Sequence, residues 1–324
     1  MADFDLFNGD ADGIFSLLQL RQVDPRPDAT LITGVKRDIR LFPRIAGHVS
    51  EGDRITALDI SMAKNTDGLR QALAAGAEVF YADHHQTGEI PEHPNLQVIT
   101  DMSKETCTAY LIDRHLHGAK AAWAVCGAYG DNFQRLAQSI AERRSLSLPL
   151  GRLRELGELV NYNAYGLTLD DLHFDPADLY TTLLAYPDPM AFLDDDHPAF
   201  ATLQSGYASD WDVAQKAREL DISDAGHVLS LPAGPASNRI SGLFGNALVD
   251  EDPQQAFAVL TEIAGDPAAY RVSVRAPRGR DSGSAAALAT QFGGGGRAAA
   301  AGIDMLPESE LGLFIDAFRT AFQA

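Results

Sequence analysis

The sequence predicts an α/β protein that contains a parallel sheet, and two observations lead to this fold class. Short apolar runs alternate with helical stretches over the first 130 residues, which is typical of a doubly wound sheet with helices on both faces. The chain has 324 residues, more than one hydrophobic core usually organises, so two domains are expected. We therefore expect a Rossmann-like first domain and a smaller α/β domain at the C-terminal end.

Apolar runs and apolar periodicity place the elements of the first domain, which we assign to residues 1–205. The predicted strands are Phe4–Phe7, Thr30–Val35, Arg54–Leu58 and Glu78–Tyr81. The predicted helices are Ile14–Arg21, Asp67–Ala75 and Thr106–His115. Residues 133–205 have a mostly helical pattern with Pro-rich breaks.

A helical linker over residues 206–225 and a second α/β domain over residues 226–324 complete the predicted organisation. The linker contains a helix near Trp211–Leu220. The predicted strands of the second domain are His227–Leu231, Ala256–Ile263 and Tyr270–Val274. Its predicted helices are Asn238–Leu248, Ala285–Gln291 and Leu311–Phe322.

The charge of the chain limits its partners. With 45 acidic against 26 basic side chains the formal net charge is −19, whereas proteins that hold long duplex nucleic acid normally present a basic face. Two cysteines without a CxxC pair argue against a disulfide framework or a structural zinc site. No apolar run reaches the roughly 18 residues of a spanning helix, and the first residues lack a signal pattern. We expect a cytoplasmic protein with no membrane partner.

Acidic residues and histidines follow three of the predicted strands. The first strand leads into Asp10-Ala11-Asp12-Gly13, the third into Asp59, and the fourth into Asp83-His84-His85. The carboxyl ends of strands in a doubly wound sheet line one crevice, where ligands bind. Carboxylates crowded there repel each other unless divalent cations neutralise them. A mixed Asp and His set suits Mn²⁺ or a similar ion.

These motifs, with Asp131 in Gly127-Ala128-Tyr129-Gly130-Asp131-Asn132, resemble the four N-terminal motifs of the DHH phosphoesterases. The stretch from Phe292 to Gly302 resembles the glycine-rich motif of the DHH-associated C-terminal domain. The resemblance covers almost the whole chain. It implies an active site in the cleft between a DHH domain and a substrate-binding domain.

Carried over to this sequence, the resemblance implies a centre with two Mn²⁺ ions, with Mg²⁺ or Co²⁺ as alternatives. Asp10 and Asp59 would bind one ion. The other would be bound by Asp12, Asp59, His84 and Asp131. Asp83 would orient His84 or complete the shell. His85 would contact the scissile phosphate or protonate the leaving oxygen.

Two positions depart from the family pattern. Some branches of the family have a His four residues before the first Asp, where this chain has Leu6. This matches the RecJ-type branch better than the pyrophosphatase or nanoRNase branches. The family often has a His after the glycines, where this chain has Arg297. An Arg still offers a planar fork to a phosphate group.

The second domain is expected to bind the substrate. Successive N–H groups of Gly293–Gly296, including Gly294, Gly295 and Gly296, are predicted to form an anion-binding nest. Basic residues cluster around this segment: Arg271, Arg275, Arg278, Arg280 and Arg297. We select Arg275 and Arg297 as phosphate or base contacts. In the first domain, Asn163 is a further residue considered for the site.

The functional hypothesis is a metal-dependent phosphodiesterase or exonuclease that acts on short oligonucleotides or dinucleotides. The alternatives are a nucleoside bisphosphate phosphatase and a nucleotide-binding regulatory protein without activity. No duplex DNA partner is expected. The sequence does not determine whether the substrate is RNA or DNA, from which end it is cleaved, or whether the protein is a homodimer.

Overall fold

The computed structural model describes residues 1–265, 268–278 and 283–323, so Arg280 lies outside the described residues. The chain divides into two compact units, Met1–Gln204 and Ser205–Ala324. In the described part of the chain, no helix combines the length and the apolar character that crossing a membrane requires.

A five-stranded parallel sheet lies at the centre of the first unit. Its strands are β1 (Asp3–Phe7), β2 (Thr30–Ile32), β3 (Arg54–Leu58), β4 (Glu78–Asp83) and β5 (Leu96–Thr100). They lie in the order β2-β1-β3-β4-β5, and every pair is parallel. The chain leaves β1 in one direction for β2 and then returns to the other side for β3. The strand order therefore reverses between β1 and β3, and such a switch point forms a ligand crevice.

Among the described residues, nine α-helices surround this sheet or follow it in the chain. They are α1 (Ala11–Val23), α2 (Met62–Ala74), α3 (Thr108–His115), α4 (Ala121–Gly130), α5 (Gln134–Arg143), α6 (Leu150–Asn163), α7 (Pro176–Leu184), α8 (Pro189–Asp194) and α9 (Pro198–Ala214). Helices α1 and α4 are buried on nearly all sides, and α4 is apolar all round, as expected of such a helix. Phe15 of α1 stacks on Trp123 of α4, with ring centroids 5.6 Å apart.

The second unit has a mixed sheet. Its strands are β6 (Arg218–Ser223), β7 (Gly226–Leu231), β8 (Ala256–Ile263), β9 (Ala269–Arg275), β10 (Gly295–Gly296) and β11 (Ala300–Pro307). They lie in the order β10-β11-β9-β8-β7-β6, and only the pair β7–β8 is parallel among the described strands. The helices are α10 (Pro235–Glu251), α11 (Ala285–Gln291) and α12 (Leu311–Phe322). Phe314, Phe318 and Phe322 of α12 pack into the core against the sheet. Short 3₁₀ helices occur at Phe42–Ile45, Leu169–Asp171 and Glu308–Glu310.

The α/β fold class with a parallel first sheet is confirmed, and most predicted elements are present. Strands β3 and β8 and helices α11 and α12 have the predicted bounds. Strand β2 ends at Ile32 rather than Val35, and α2 begins earlier, at Met62. The sequence patterns did not reveal β5, β10 or β11.

The helix predicted near Trp211–Leu220 is wrong over its second half. Helix α9 ends at Ala214, and Arg218–Ser223 forms strand β6. This strand pairs antiparallel with β7 across the two-residue turn 224–225. The hairpin pairs one edge of β6 with β7, and that pairing outweighs the helical propensity of the segment. Of residues 206–225, only 206–214 are therefore helical.

Candidate metal centre

Strands β1, β3 and β4 end at the same edge of the first sheet, where their following residues meet. Asp10 caps the N-terminus of α1 directly after β1, and its side chain accepts a hydrogen bond from Gly13 N (3.1 Å). Gly13 has no room for a side chain, since a Cβ there would lie 2.1 Å from the carbonyl oxygen of Asn8. Asp59 follows β3, and Asp83 is the last residue of β4.

Two overlapping groups of side chains have the composition and spacing of a metal site. The candidate ligand atoms of Asp12, His84 and Asp131 lie within 4.8 Å of one another, and so do those of Asp59, His84 and His85. Nε2 of His84 is 3.5 Å from Asp59 Oδ1, 3.7 Å from Asp131 Oδ2 and 3.9 Å from Asp12 Oδ2. Ligands bound at about 2.1 Å lie roughly 3 to 4 Å from each other around an ion. The side chains fit a divalent cation.

Backbone groups at the N-terminus of α3 hold the Asp12 carboxylate in place. Its two oxygens accept hydrogen bonds from Thr108 N and Ala109 N, both at 2.7 Å. An ionised carboxylate has about four acceptor positions, so lone pairs remain for a cation. Asp12 is fully buried, and the first turn of α3 replaces the water that would otherwise solvate it.

Asp59 is fixed by its backbone and by a hydroxyl group. Its φ of 58° lies in the left-handed region, which Asp and Asn tolerate better than most residues. Its backbone N–H donates to Ala82 O of β4 (3.0 Å). Thr108 Oγ1 donates to Asp59 Oδ1 at 2.9 Å. Thr108 therefore supports both Asp12 and Asp59.

The two histidines have different partners. Nδ1 of His84 lies 3.0 Å from the carbonyl oxygen of Thr106, so its Nε2 is directed at the carboxylates, as in many metal sites. Nδ1 of His85 lies 2.7 Å from Asp83 Oδ1. Asp83 therefore orients His85, and the expectation that it orients His84 is corrected. The other oxygen of Asp83 is buried and accepts no hydrogen bond from the described residues.

The carboxylates form a cluster whose negative charge is only partly neutralised. Burial, followed by the charges of Asp12 and Asp10, raises the pKa of Asp59 well above its usual value. Burial also raises the pKa of Asp12. At Asp10, burial opposes ionisation, but the neighbouring ammonium group of Lys36 outweighs it and lowers the pKa. A divalent cation would remove the repulsion that remains.

Lys36 is a member of the centre that the sequence patterns did not reveal. Its ammonium group hydrogen-bonds to Asp10 Oδ2, and it lies 3.2 Å from Asp131 Oδ1 and 3.1 Å from Asn161 Oδ1. The backbone N–H of Lys36 donates to the carbonyl oxygen of Ala164 after α6 (2.8 Å). Its position depends on this contact between distant segments, which no local sequence pattern reveals.

The structure thus brings the predicted residues into two groups that share His84, one with Asp12 and Asp131 and the other with Asp59 and His85. Asp10 belongs to neither group and pairs with Lys36. Leu6 is fully buried in the core of the sheet and offers no ligand. Asn163 does not point a free amide into the centre. Its side chain bonds to the backbone of His173 and Phe174 and fixes the loop after α6.

The glycine-rich segment of the second unit does not form the predicted nest. Gly293 N donates to Thr290 O (3.3 Å) and Gly294 N to Ala289 O (2.8 Å). With a φ of 75° at Gly293, this is a Schellman cap that ends α11. Gly295 and Gly296 form β10 and pair with β11. Two of the four N–H groups are therefore used by the helix.

The two selected arginines of this unit have different surroundings. The Arg275 guanidinium donates to Asn246 Oδ1 (2.6 Å), Ser273 Oγ (2.9 Å) and the carbonyl oxygen of Gly242 (3.0 Å). It therefore joins β9 to α10. Arg297 lies in the turn between β10 and β11, where its backbone exchanges hydrogen bonds with Ala300. Its side chain is exposed and has no hydrogen-bond or ionic partner in the described chain.

Comparisons with known proteins agree with the architecture. No protein-family model and no curated protein sequence matches this chain. Solved structures do match it. The structure of the exonuclease RecJ bound to manganese has a TM-score of 0.64 and 18% identity, and the match covers 98% of this chain and 89% of RecJ.

Two further structures with this fold have lower TM-scores. A DHH domain of a member of the s1p family of ribosomal proteins matches with a TM-score of 0.60 and 12% identity, over 98% of this chain and 86% of that one. PggH from Vibrio, a pGpG-specific phosphodiesterase, matches with a TM-score of 0.55 and 14% identity over 98% of both chains. At such identities the matches show the fold, and they confirm at that level the resemblance to DHH proteins.

Proposed function

We propose that this chain is a metal-dependent phosphoesterase of the DHH family that hydrolyses a phosphodiester bond in short oligonucleotides or dinucleotides. The observation that carries the proposal is the set of Asp12, Asp59, His84 and Asp131 at the ends of the strands and of α4. This set lies in a fold shared with a manganese-bound exonuclease and with a phosphodiesterase. The centre predicted from the sequence would hold two ions. The second ion requires Asp10 to bind a metal in place of its present partner, Lys36.

The residues of the centre have separable tasks in such a reaction. A divalent cation held there would neutralise charge that develops on the phosphoryl oxygens and make a water molecule more acidic. Asp12, Asp59, His84 and Asp131 would hold it. Mn²⁺ is favoured over Mg²⁺ because an imidazole is among the ligands.

His85 is the candidate group that contacts the substrate. Its ring lies beside that of His84, with centroids 4.4 Å apart, and about a third of its side chain is exposed. Asp83 fixes Nδ1, which leaves Nε2 to donate a hydrogen bond to a phosphate oxygen or a proton to the leaving oxygen. Asp83 is thus a positioning residue for His85.

A short substrate is favoured by the charge of the chain. At a net charge of −19, a long polyanion is repelled everywhere except near the centre and a few basic segments. We expect oligonucleotides of a few residues to turn over faster than long single strands.

The test is a substrate panel with metal-free protein supplied with Mn²⁺. The panel contains dinucleotides, pentanucleotides, long single strands and nucleoside bisphosphates. Fastest turnover of dinucleotides or pentanucleotides is expected. Exclusive release of phosphate from the bisphosphates would identify a phosphomonoesterase instead. Absence of turnover on every substrate, with metal bound, would support a regulatory protein.

A further inference from the structure

A concave surface beside the metal centre carries an unusual charge for this chain. This surface, which we call the basic pocket, has a volume of about 800 Å³ and lies within the first unit. Its basic lining residues come from the segment before α3 and from α3 and α5: Lys104, Arg114, Arg135 and Arg143. All four are exposed. Asp101 and Glu105 also line it, so cations outnumber anions.

The four cations have no carboxylate partner among the described residues. Neighbouring arginines of the same unit differ, since Arg144 pairs with Asp113 at 2.9 Å and Arg154 with Glu158 at 2.6 Å. In a chain with 45 acidic side chains, a group of unpaired cations is a place where a ligand supplies the negative charge.

Aromatic side chains complete the pocket. The Arg114 guanidinium lies 5.9 Å from the centroid of the Tyr110 ring, and Arg143 donates to the Tyr110 hydroxyl at 2.7 Å. Tyr110 therefore holds two cations at the pocket wall. Phe133 also lines the pocket and is only half-buried. An accessible ring next to cations is a common platform for a nucleotide base.

Two residues connect the basic pocket to the metal centre. Thr106 lines the pocket, and its carbonyl oxygen is the partner of His84 Nδ1. Phe133 contacts His84 edge to face, with ring centroids 6.0 Å apart. These two residues therefore place the pocket next to the position that a scissile phosphate would occupy at the centre.

We propose that the basic pocket binds a second phosphate group of the nucleotide substrate, next to the scissile one, with a base against Phe133. This inference rests on the proposed function. It gives the enzyme a preference for dinucleotides that carry a terminal phosphate over dinucleotides that carry none.

The experiment compares three substrates: diadenylate with a 5′-phosphate, with a 3′-phosphate and without a terminal phosphate. The wild-type protein with Mn²⁺ is expected to have a lower KM for one of the phosphorylated forms. The double variant Lys104→Glu/Arg135→Glu is expected to lose that preference. Since each charge-assisted contact contributes strongly to binding, we expect kcat/KM for the preferred form to fall about ten- to a hundredfold. The unphosphorylated form should change little, and bound Mn²⁺ should not change.

Arg70→Glu/Arg154→Glu is the matched control with the same change of charge. Arg70 and Arg154 are exposed arginines of the same unit that pair with Glu89 and Glu158, and neither lines the pocket. Equal losses on all three substrates, unchanged kinetics in the pocket double variant, or an equal loss in the control double variant would each overturn the proposal. Calorimetric binding of the three diadenylates separates it from the proposed function. If nothing is cleaved, that function fails, while tighter binding of a phosphorylated form that the pocket double variant loses still supports the pocket.

Discussion

The acidic centre of the first unit and the arginine-containing turn of the second unit differ in how firmly their side chains are held. Backbone N–H groups fix both oxygens of Asp12, and a carbonyl oxygen fixes His84. Arg297, in contrast, is exposed, and its guanidinium has no hydrogen-bond or ionic partner among the described residues. The first arrangement is preorganised for one geometry. The second can adjust to a ligand, at the cost of ordering the side chain when it binds.

Replacing Asp59 should give the largest effect. Asn is the sharper substitution than Ala, because it tolerates the φ of 58° and preserves the backbone. Asp59→Asn removes a charged ligand from the centre. We expect turnover to fall about a thousandfold or more, since an ion in such a site contributes several kcal/mol.

The matched control for Asp59 is Asp67→Asn, an exposed aspartate on α2. Its kinetics should equal those of the parent. Steady-state assays at saturating Mn²⁺ measure both variants. Activity of Asp59→Asn within about tenfold of the parent would show that Asp59 is not a metal ligand needed for turnover.

Arg297→Ala tests whether the exposed arginine in the turn of the second unit binds the substrate. Its contact with a phosphate or a base would exist in both the ground and transition states, so KM should rise more than kcat falls. We expect KM on the best short substrate to rise about ten- to a hundredfold, the equivalent of one charge-assisted hydrogen bond. Metal content should be unchanged.

Arg278→Ala is the control for Arg297, because Arg278 is also exposed but pairs with Asp250. Its KM should stay at the parental value. If Arg297→Ala and the parent have the same KM, Arg297 is a surface residue of a glycine-rich turn.

Lys36→Met tests whether the ammonium group of Lys36 stabilises the folded protein when no metal is bound. Lys36 is the ammonium group between Asp10 and Asp131, so its removal leaves buried carboxylates without a counter-charge. We expect the metal-free variant to lose about 2 kcal/mol of unfolding free energy. Urea unfolding with EDTA and with Mn²⁺ measures this, and the loss should shrink when Mn²⁺ is bound. An equal loss in both conditions would indicate that Lys36 stabilises the fold independently of the centre.

Arg275→Ala should have the smallest effect on catalysis. The Arg275 side chain bonds to α10 through Asn246 and Gly242, so its main contribution is to the stability of the second unit. A loss of about 1 kcal/mol is expected, with KM near the parental value. A KM increase as large as that of Arg297→Ala, without loss of stability, would restore the prediction that Arg275 contacts the substrate.

The parts of the centre that sequence reasoning found are those set by local chain geometry. A strand end followed by Asp-x-Asp-Gly or Asp-His-His identifies its own position, because parallel strands deliver their carboxyl ends to one edge. Lys36 escaped because packing of the loop after β2 against the end of α6 places it there, through the bond to Ala164. Such a contact between distant segments has no local signature.

The second unit shows the opposite limitation. The segment Gly293–Gly296 has the composition of an anion-binding loop, yet two of its amides end α11. Strand β11 contains Ala300-Ala301-Gly302, residues with low strand propensity, and it is a strand because β9 pairs with it. The basic pocket was also not predicted, since its cations come from segments up to 39 residues apart, from Lys104 to Arg143.

We propose above that the first unit binds a divalent cation and that the protein needs this cation to hydrolyse phosphodiesters. A Mn²⁺ titration tests this proposal most directly. Metal-free protein is titrated with Mn²⁺, free Mn²⁺ is followed by electron paramagnetic resonance, and diadenylate turnover is measured in the same samples. Turnover should be absent without metal and rise with bound Mn²⁺, with Mg²⁺ less effective and Ca²⁺ ineffective. Turnover that persists in chelator, or equal rescue by Ca²⁺, would contradict the account.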